Sequence, residues 1–313
     1  MNSERPWIQV YPSGVPANID TSEYNSVIEY VDSMIKNYGK KPAFSCMGKE
    51  ITFNELDKLS TQFGSYLQSR GLSPGDKVAV MLPNLLQYPI ALFGILKAGL
   101  VLVNTNPLYT PREMEHQFND SEAKAIIILE NFCSNLESIL QKTQIKVIIT
   151  TSLGEMLGAV KGSLINFAVK NIKRMVPKYD LPNVVRMKEA LAQGRKFQLD
   201  KNFVNEHDTV IALQYTGGTT GVSKGAMLTN KNLIANCLQA KAFLEPYNSQ
   251  DGKNIFLSPL PLYHIYAFTV SCLVSMDTGA LSVLVTNPRD LKSVVKEFER
   301  YNITAMTLSL IHI

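Results

Sequence analysis

The sequence holds only four cysteines in 313 residues, Cys46, Cys133, Cys237 and Cys272. They lie far apart, with no CxxC pair and no Cys/His spacing of the kind that holds zinc. They read as buried free thiols in a reducing cytoplasm, not as a disulfide frame or a metal site. Charge of one sign is scarce as well. With 31 Lys and Arg against 27 Asp and Glu the net charge is +4, too mild and too dispersed for a nucleic-acid protein, which concentrates its basic residues on one face. The N-terminus, MNSERPWIQVYPSG, lacks the apolar run of a signal peptide. No long apolar run survives inspection either. Residues 90–103 are short and broken by Lys97 and Gly99, and Asp277-Thr278-Gly279 divides 265–285 into a helix-sized and a strand-sized piece. Internal repeats and low-complexity tracts are missing. What remains is 45% hydrophobic and 19% charged, an ordinary soluble globular composition, long enough for two domains or one large α/β unit.

After a polar lead over 1–40, strand-like runs alternate with helix-like patterns. SPGDKVAVML is a turn followed by a buried strand at Val78–Leu82. Leu85–Ala98 reads as a helix stopped by Gly99, and Leu100–Val103 as the next strand. TPRE at 110–113 is a helix start, with Thr110 as cap, Pro111 at the first helical position and Glu113 completing a capping box. Ala125–Leu129 and Val147–Thr150 are further strands. The rhythm breaks over 151–205, which places a boundary near 200 between a first α/β subdomain (41–200) and a second (201–313). In the second, Thr209–Tyr215, Ile255–Leu257, Ala280–Val285 and a run from Ile303 to Leu308 read as strands, and Asn230–Leu244 as a helix. In DLKSVVKEFER, Leu291, Val294, Val295 and Phe298 share one helix face. The fold class expected is α/β, with mainly parallel sheets and flanking helices.

One loop stands out. YTGGTTGVSKGAM (215–227) follows the strand TVIALQY and precedes a helical segment, the place where open α/β sheets bind ligands. Gly217, Gly218 and Gly221 let backbone N–H groups approach a phosphate closely. Thr216, Thr219 and Thr220 add hydroxyls, and Lys224 adds a charge. A plain turn needs one or two glycines, not this density of hydroxyls beside a lysine. The spacing is not that of a Walker A loop, because Lys224 is followed by Gly225 where that motif carries Ser or Thr. A P-loop ATPase is disfavoured accordingly.

The loop resembles the first signature of the adenylate-forming superfamily of acyl-CoA synthetases and luciferases. YPSGVP, MLPNLLQYPIALFGILKAG, NTNPLYTPREMEHQFNDSEAKAII, VPKYDLP, PLPLYHIYA and TNPRD extend the resemblance to the bacterial long-chain fatty-acid–CoA ligases, over nearly the whole chain to about residue 307. The resemblance implies two stacked α/β subdomains and a two-step reaction. A fatty-acid carboxylate attacks the α-phosphorus of ATP, pyrophosphate leaves, and the thiol of coenzyme A then attacks the acyl-adenylate. It implies ATP and Mg²⁺ at the site, with coenzyme A and a long-chain fatty acid as co-substrates, and no nucleic acid. Tyr215, Thr216, Gly217, Gly218, Thr219, Thr220, Gly221, Val222, Ser223 and Lys224 would form the phosphate grip, with Lys224 and His264 as the catalytic pair. Ser223 stands where many relatives carry proline or alanine, a change expected to affect loop stiffness more than charge. No metal ligand is assigned in this chain.

His264, in PLYH after a strand, would lie beside the acyl carboxylate and α-phosphate. By itself it reads as well as a histidine satisfied in the core; the intact PLPLYH context favours the functional reading. Tyr263 and Phe268 read as packing residues, and the pairs Glu113/Glu115 and Asp120/Glu122 as caps and solvated helix ends. KGSLINFAVKNIKRMVPK (161–178) carries apolar residues at helical spacing and five cations with no acid. Two readings stay open for it: a helix in a membrane interface, on the inner face of the cytoplasmic membrane, or a surface helix packing its apolar face on the domain. The Gly-Tyr-Gly-x-Thr-Glu run, the ribose-binding aspartate and the C-terminal lid of the resembling enzymes do not occur before Ile313, and LSLIHI departs from their pattern. The expectation is an incomplete and inactive copy with foreign last residues, cytoplasmic, with a homodimer of the full-length protein left open. A fatty-acyl-AMP ligase and a non-catalytic nucleotide or lipid-binding module are the rival functions.

Overall fold

The computed structural model describes residues 5–216, 222–247 and 253–309. Ser26 caps the first helix, α1 (Val27–Tyr38), by accepting from Glu29 N at 3.2 Å, and an antiparallel hairpin follows, β1 (Pro42–Cys46) and β2 (Lys49–Thr52). Thr52 and Glu55 form a capping box at the start of α2 (Phe53–Ser69). The chain then alternates in the expected way: β3 (Lys77–Met81), α3 (Gln87–Lys97), β4 (Val101–Asn104), α4 (Pro111–Asp120), β5 (Ala123–Leu129), α5 (Cys133–Ile139) and β6 (Val147–Thr151). The TPRE start is realised in full, with Pro111 in the first turn and both capping-box bonds from Thr110 and Glu113 present.

Helix α6 (Ala159–Phe167) runs into a π-helical turn (Ala168–Ile172), then come β7 (Val185–Arg186), α7 (Met187–Gly194), β8 (Val210–Thr216) and β9 (Lys224–Thr229). After α8 (Asn230–Leu244) and β10 (Ile255–Ser258), α9 (Ile265–Ala267), a π-helical stretch (Phe268–Val274) and α10 (Ser275–Asp277) make the helix-sized piece of 265–285. The strand-sized piece is β11 (Leu281–Leu284), and α11 (Leu291–Arg300) and β12 (Ala305–Met306) follow.

These strands form two sheets, ordered β7-β6-β5-β3-β4-β8-β9 and β12-β10-β11-β1-β2. Only β9 and β2, each at an edge, run antiparallel to their neighbour. The architecture is therefore α/β with mostly parallel sheets flanked by helices, as expected. The boundary near residue 200 is corrected, because it does not separate the sheets. β8 and β9 close the edge of the first sheet, with Leu102 opposite Ala212, while β1 pairs with β11 in the second, with Phe44 opposite Ser282. Ladder bonds are made by backbone groups common to all residues, so strand composition carries no label for the sheet it joins.

Alternate residues of β5 show how the layers are filled. Ala125, Ile127 and Leu129 face a core shared with α1, α2, α3, α8 and the second sheet, whereas Ile126 and Ile128 face α4 and α5. All eleven residues of α3 are buried, as befits a helix sandwiched between layers. Lys97, which interrupts its apolar run, pairs with the Asp57 carboxylate and donates to Thr61 Oγ1 at 3.2 Å, so its charge is matched inside. The four cysteines are free and buried, and burial pushes Cys46 up to about 11 and Cys133 up to about 12. Helix α11 forms where expected, but only Val294 of its apolar face packs on the core; Leu291, Val295 and Phe298 are exposed, with no described element over them.

Candidate active site

Thr216 ends β8 and Lys224 begins β9, and the two residues pair directly, as do Tyr215 and Gly225. The two strands that flank the glycine–threonine loop are thus antiparallel partners, the arms of a hairpin. The stretch follows a strand and precedes a helix as expected, with one addition: β9, which the sequence pattern does not announce, intervenes before α8. Gly217, Gly218, Thr219, Thr220 and Gly221 lie outside the described residues. Val222 and Lys224 are exposed at the downstream arm.

Both arms of the hairpin are braced by one helix face. On α4, His116 and Asp120 stand one turn apart. His116 Nε2 lies 2.9 Å from the Ser223 carbonyl, and a carbonyl only accepts, so the ring donates from Nε2. Tyr215 Oη donates to Asp120 Oδ2 at 2.5 Å. Burial, reinforced by the Asp120 carboxylate, raises the Tyr215 phenol well above its ordinary range, which keeps it a donor. Its ring lies against Gly225, where an added Cβ would stand 2.9 Å from a ring carbon. The glycine after Lys224 is therefore demanded by the tyrosine across the hairpin.

A second set of bonds ties the hairpin to the PLYH segment. Gln214, on β8, donates through Nε2 to Tyr263 O at 3.0 Å and accepts from Asn104 Nδ2 at 3.1 Å. Tyr88 Oη sits 2.6 Å from Asn104 Oδ1 and 2.8 Å from Leu262 O. Asn84 donates to Ser258 O and Leu260 O, at 3.0 and 2.9 Å, and accepts from Leu262 N at 2.8 Å. Asn84 follows β3, Asn104 ends β4 and Gln214 lies within β8; a polar side chain in or beside an apolar run is the sequence signal that marks each of them. His264 is exposed and is not satisfied by the core. Its Nδ1 accepts from Tyr266 N at 3.4 Å, which leaves Nε2 to carry the proton of the neutral ring.

Beyond the carboxyl ends of the strands, a cavity of about 580 Å³ is lined by Leu129, Phe132, Tyr263 and Leu284, with Lys173 and Arg289 supplying positive charge. Open α/β sheets bind ligands in such crevices. Among the described residues no group of three His, Cys, Asp or Glu side chains converges to hold a metal ion.

The family profile described as AMP-binding enzyme matches residues 31–309. The chain belongs to the AMP-binding enzyme family. Among its relatives, the long-chain-fatty-acid–CoA ligase of Yersinia pestis is 51% identical over 305 residues, covering 97% of this chain and 54% of the relative. That of Salmonella typhimurium is 49% identical with the same coverage, and that of Bacillus subtilis 31% identical over 285 residues, covering 91% of this chain and 50% of the relative. This AMP-binding chain spans about half the length of the curated relatives it matches. Two solved structures share its fold. The anthranilate CoA ligase AuaEII in complex with anthranoyl-AMP matches with a TM-score of 0.73 at 19% identity, over 92% of this chain and 51% of that one. A long-chain-fatty-acid-CoA ligase from Archaeoglobus fulgidus matches with a TM-score of 0.72 at 23% identity, over 95% and 53%. Within the AMP-binding fold, the braced hairpin and the PLYH segment are joined to one strand, β8.

Proposed function

We propose that this chain carries the ATP-binding part of a long-chain fatty-acid–CoA ligase that forms acyl-AMP and then acyl-CoA. The observation that carries the reading is the hairpin of Tyr215 to Lys224, held at both arms by α4 and joined through Gln214 to the segment bearing His264. The first step brings two anions together, so its barrier falls when fixed donors stand where phosphate charge builds up. Thr216, Gly217, Gly218, Thr219, Thr220, Gly221 and Lys224 would hold the β- and γ-phosphates as the bond from the α-phosphorus to pyrophosphate breaks. His264, with its proton on Nε2, would donate to the carboxylate or α-phosphate oxygens as the new bond from acyl oxygen to phosphorus forms. In the second step the thiol of coenzyme A loses its proton, its sulfur bonds to the acyl carbon and AMP leaves.

Mg²⁺, when bound with ATP, would supply charge neutralisation for the departing pyrophosphate. Among the described residues no group of three His, Cys, Asp or Glu side chains is placed to hold it, so no ligand for the ion is assigned in this chain. A peripheral position on the inner face of the cytoplasmic membrane and a homodimer belong to the same reading. The test is fatty-acid-dependent ATP–pyrophosphate exchange by the natural protein, with capture of the thioester by coenzyme A. Exchange with long-chain acids and thioester formation are expected. Adenylate release without thioester would move the assignment to a fatty-acyl-AMP ligase, and ATP hydrolysis without any fatty acid would overturn it.

A further inference from the structure

Helix α6 and the π-helical turn after it are built the wrong way round for a surface helix, which ordinarily buries its apolar stripe. The inward contacts here are Gly162, Asn166 and Val169. Asn166 Oδ1 accepts from Gly154 N at 2.7 Å, and a Cβ on Gly162 would stand 2.2 Å from Gly154 O, so backbone meets backbone. The bulky apolar residues point away. Val160, Leu164, Phe167, Ile172 and Met175 are 77, 66, 59, 70 and 51% exposed. The packing of the apolar face on the domain, one of the two readings of 161–178, holds only in part: Val169 is buried and Ile165, Ala168 and Val176 are half-buried, while Leu164, Ile172 and Met175 are exposed.

Around this face stand Lys161, Lys170, Lys173, Arg174 and Lys178, all exposed, with no acidic residue between Glu155 and Asp180. Lys161 donates to Met47 O; among the described residues the other four enter no ion pair. The inner side of the same segment is a wall of the cavity, through Ile165, Val169, Lys173 and Met175. Met175 both lines the cavity and meets solvent, so it marks the mouth.

We propose that Ala159–Met175 docks flat on a bilayer of anionic phospholipid, and that an acyl chain passes from the leaflet by Met175 into the cavity. Charge selects the occupant. Two copies joined through this face would set cations against cations, whereas anionic headgroups complement all five. The helical part is roughly 21 Å long at 1.5 Å per residue, too short to cross a bilayer and suited to lie in its plane. The docking stands on the helix alone; the passage of an acyl chain rests on the ligase reading.

The experiment is co-sedimentation of the natural protein with phosphatidylcholine vesicles, with and without phosphatidylglycerol. Binding only to the anionic vesicles is expected, weakened at least about ten-fold by Leu164→Gln/Phe167→Gln and by Lys170→Gln/Arg174→Gln. These exposed sites leave the melting temperature and ATP affinity unchanged. Equal binding by the variants, equal binding to neutral vesicles, or a dimer abolished by Phe167→Gln would each overturn the docking. Met175→Trp, at the mouth, should raise KM for a long-chain acid several-fold with vesicle binding intact; an unchanged KM would overturn the route. Vesicle binding without any fatty-acid turnover would count against the ligase reading and not against the docking.

Discussion

Tyr215 is held from two sides, by the Asp120 carboxylate at its hydroxyl and by Gly225 beneath its ring. On the other arm a single bond, His116 to Ser223 O, does the corresponding task. This bond needs only an N–H donor at that distance. His116→Ala is expected to weaken ATP binding about three- to ten-fold, the worth of one net hydrogen bond, and His116→Gln, which keeps a donor, to recover most of it. Titration calorimetry reads both; equal losses in the two variants would show that the bond is not what positions the loop. Residues also set the alkaline limit. Burial raises the Cys46 thiol from 9.0 to about 11, so the folded state holds a proton that the unfolded chain releases first. Its contribution is complete below pH 9 and disappears as pH rises toward 11. The loss is on the order of 2 to 3 kcal/mol, and Cys133, Cys237, Cys272 and Tyr215 shift in the same direction. Urea unfolding at pH 8 and pH 10.5 should show a falling midpoint, and Cys46→Ser should flatten part of the fall.

At the scale of elements, α4 both begins cleanly and carries the two braces. Thr110→Ala removes one half of its capping box, and should cost about 1 kcal/mol of stability in a denaturant titration, with a smaller loss of ATP affinity as the helix start frays. The TPRE start was legible because a cap is a local bargain, settled by four neighbouring side chains. β9 was not. Its run KGAMLT has little alternation and no buried residue, so nothing in its polarity announces a strand; it exists because β8 offers it an edge. Helix α11 shows the opposite failure. Its period was right, yet Leu291, Val295 and Phe298 stay in water, since periodicity tells which residues share a face and not whether anything covers it. Of the candidate site, the hairpin and His264 were legible from glycine density and motif, while Asn84, Asn104, Gln214, His116 and Asp120 act through contacts between residues far apart in sequence.

For the whole molecule, the exchange of strands across residue 200 makes the two sheets depend on each other. A polypeptide of residues 1–200 would leave β4 without β8 and β1 without β11. It is expected to lack a cooperative unfolding transition and to aggregate, which circular dichroism and light scattering would detect; a sharp two-state melt would show that the first α/β run is self-sufficient. The shared core of α1, α2, α3 and α8 makes the same point in packing, because its residues come from both sides of that position.

The pairing of β1 with β11 has a further consequence in time. Cys46 leaves the ribosome about 235 residues before Leu281 does, and at 5–20 residues per second that interval is roughly 12 to 47 s. Throughout it the free edge of the first hairpin has no native neighbour, and any other nascent strand is a competitor. A chain of this topology is therefore a client for whatever holds unfinished polypeptides apart, and slowing translation upstream of residue 281 should raise its dependence on that help.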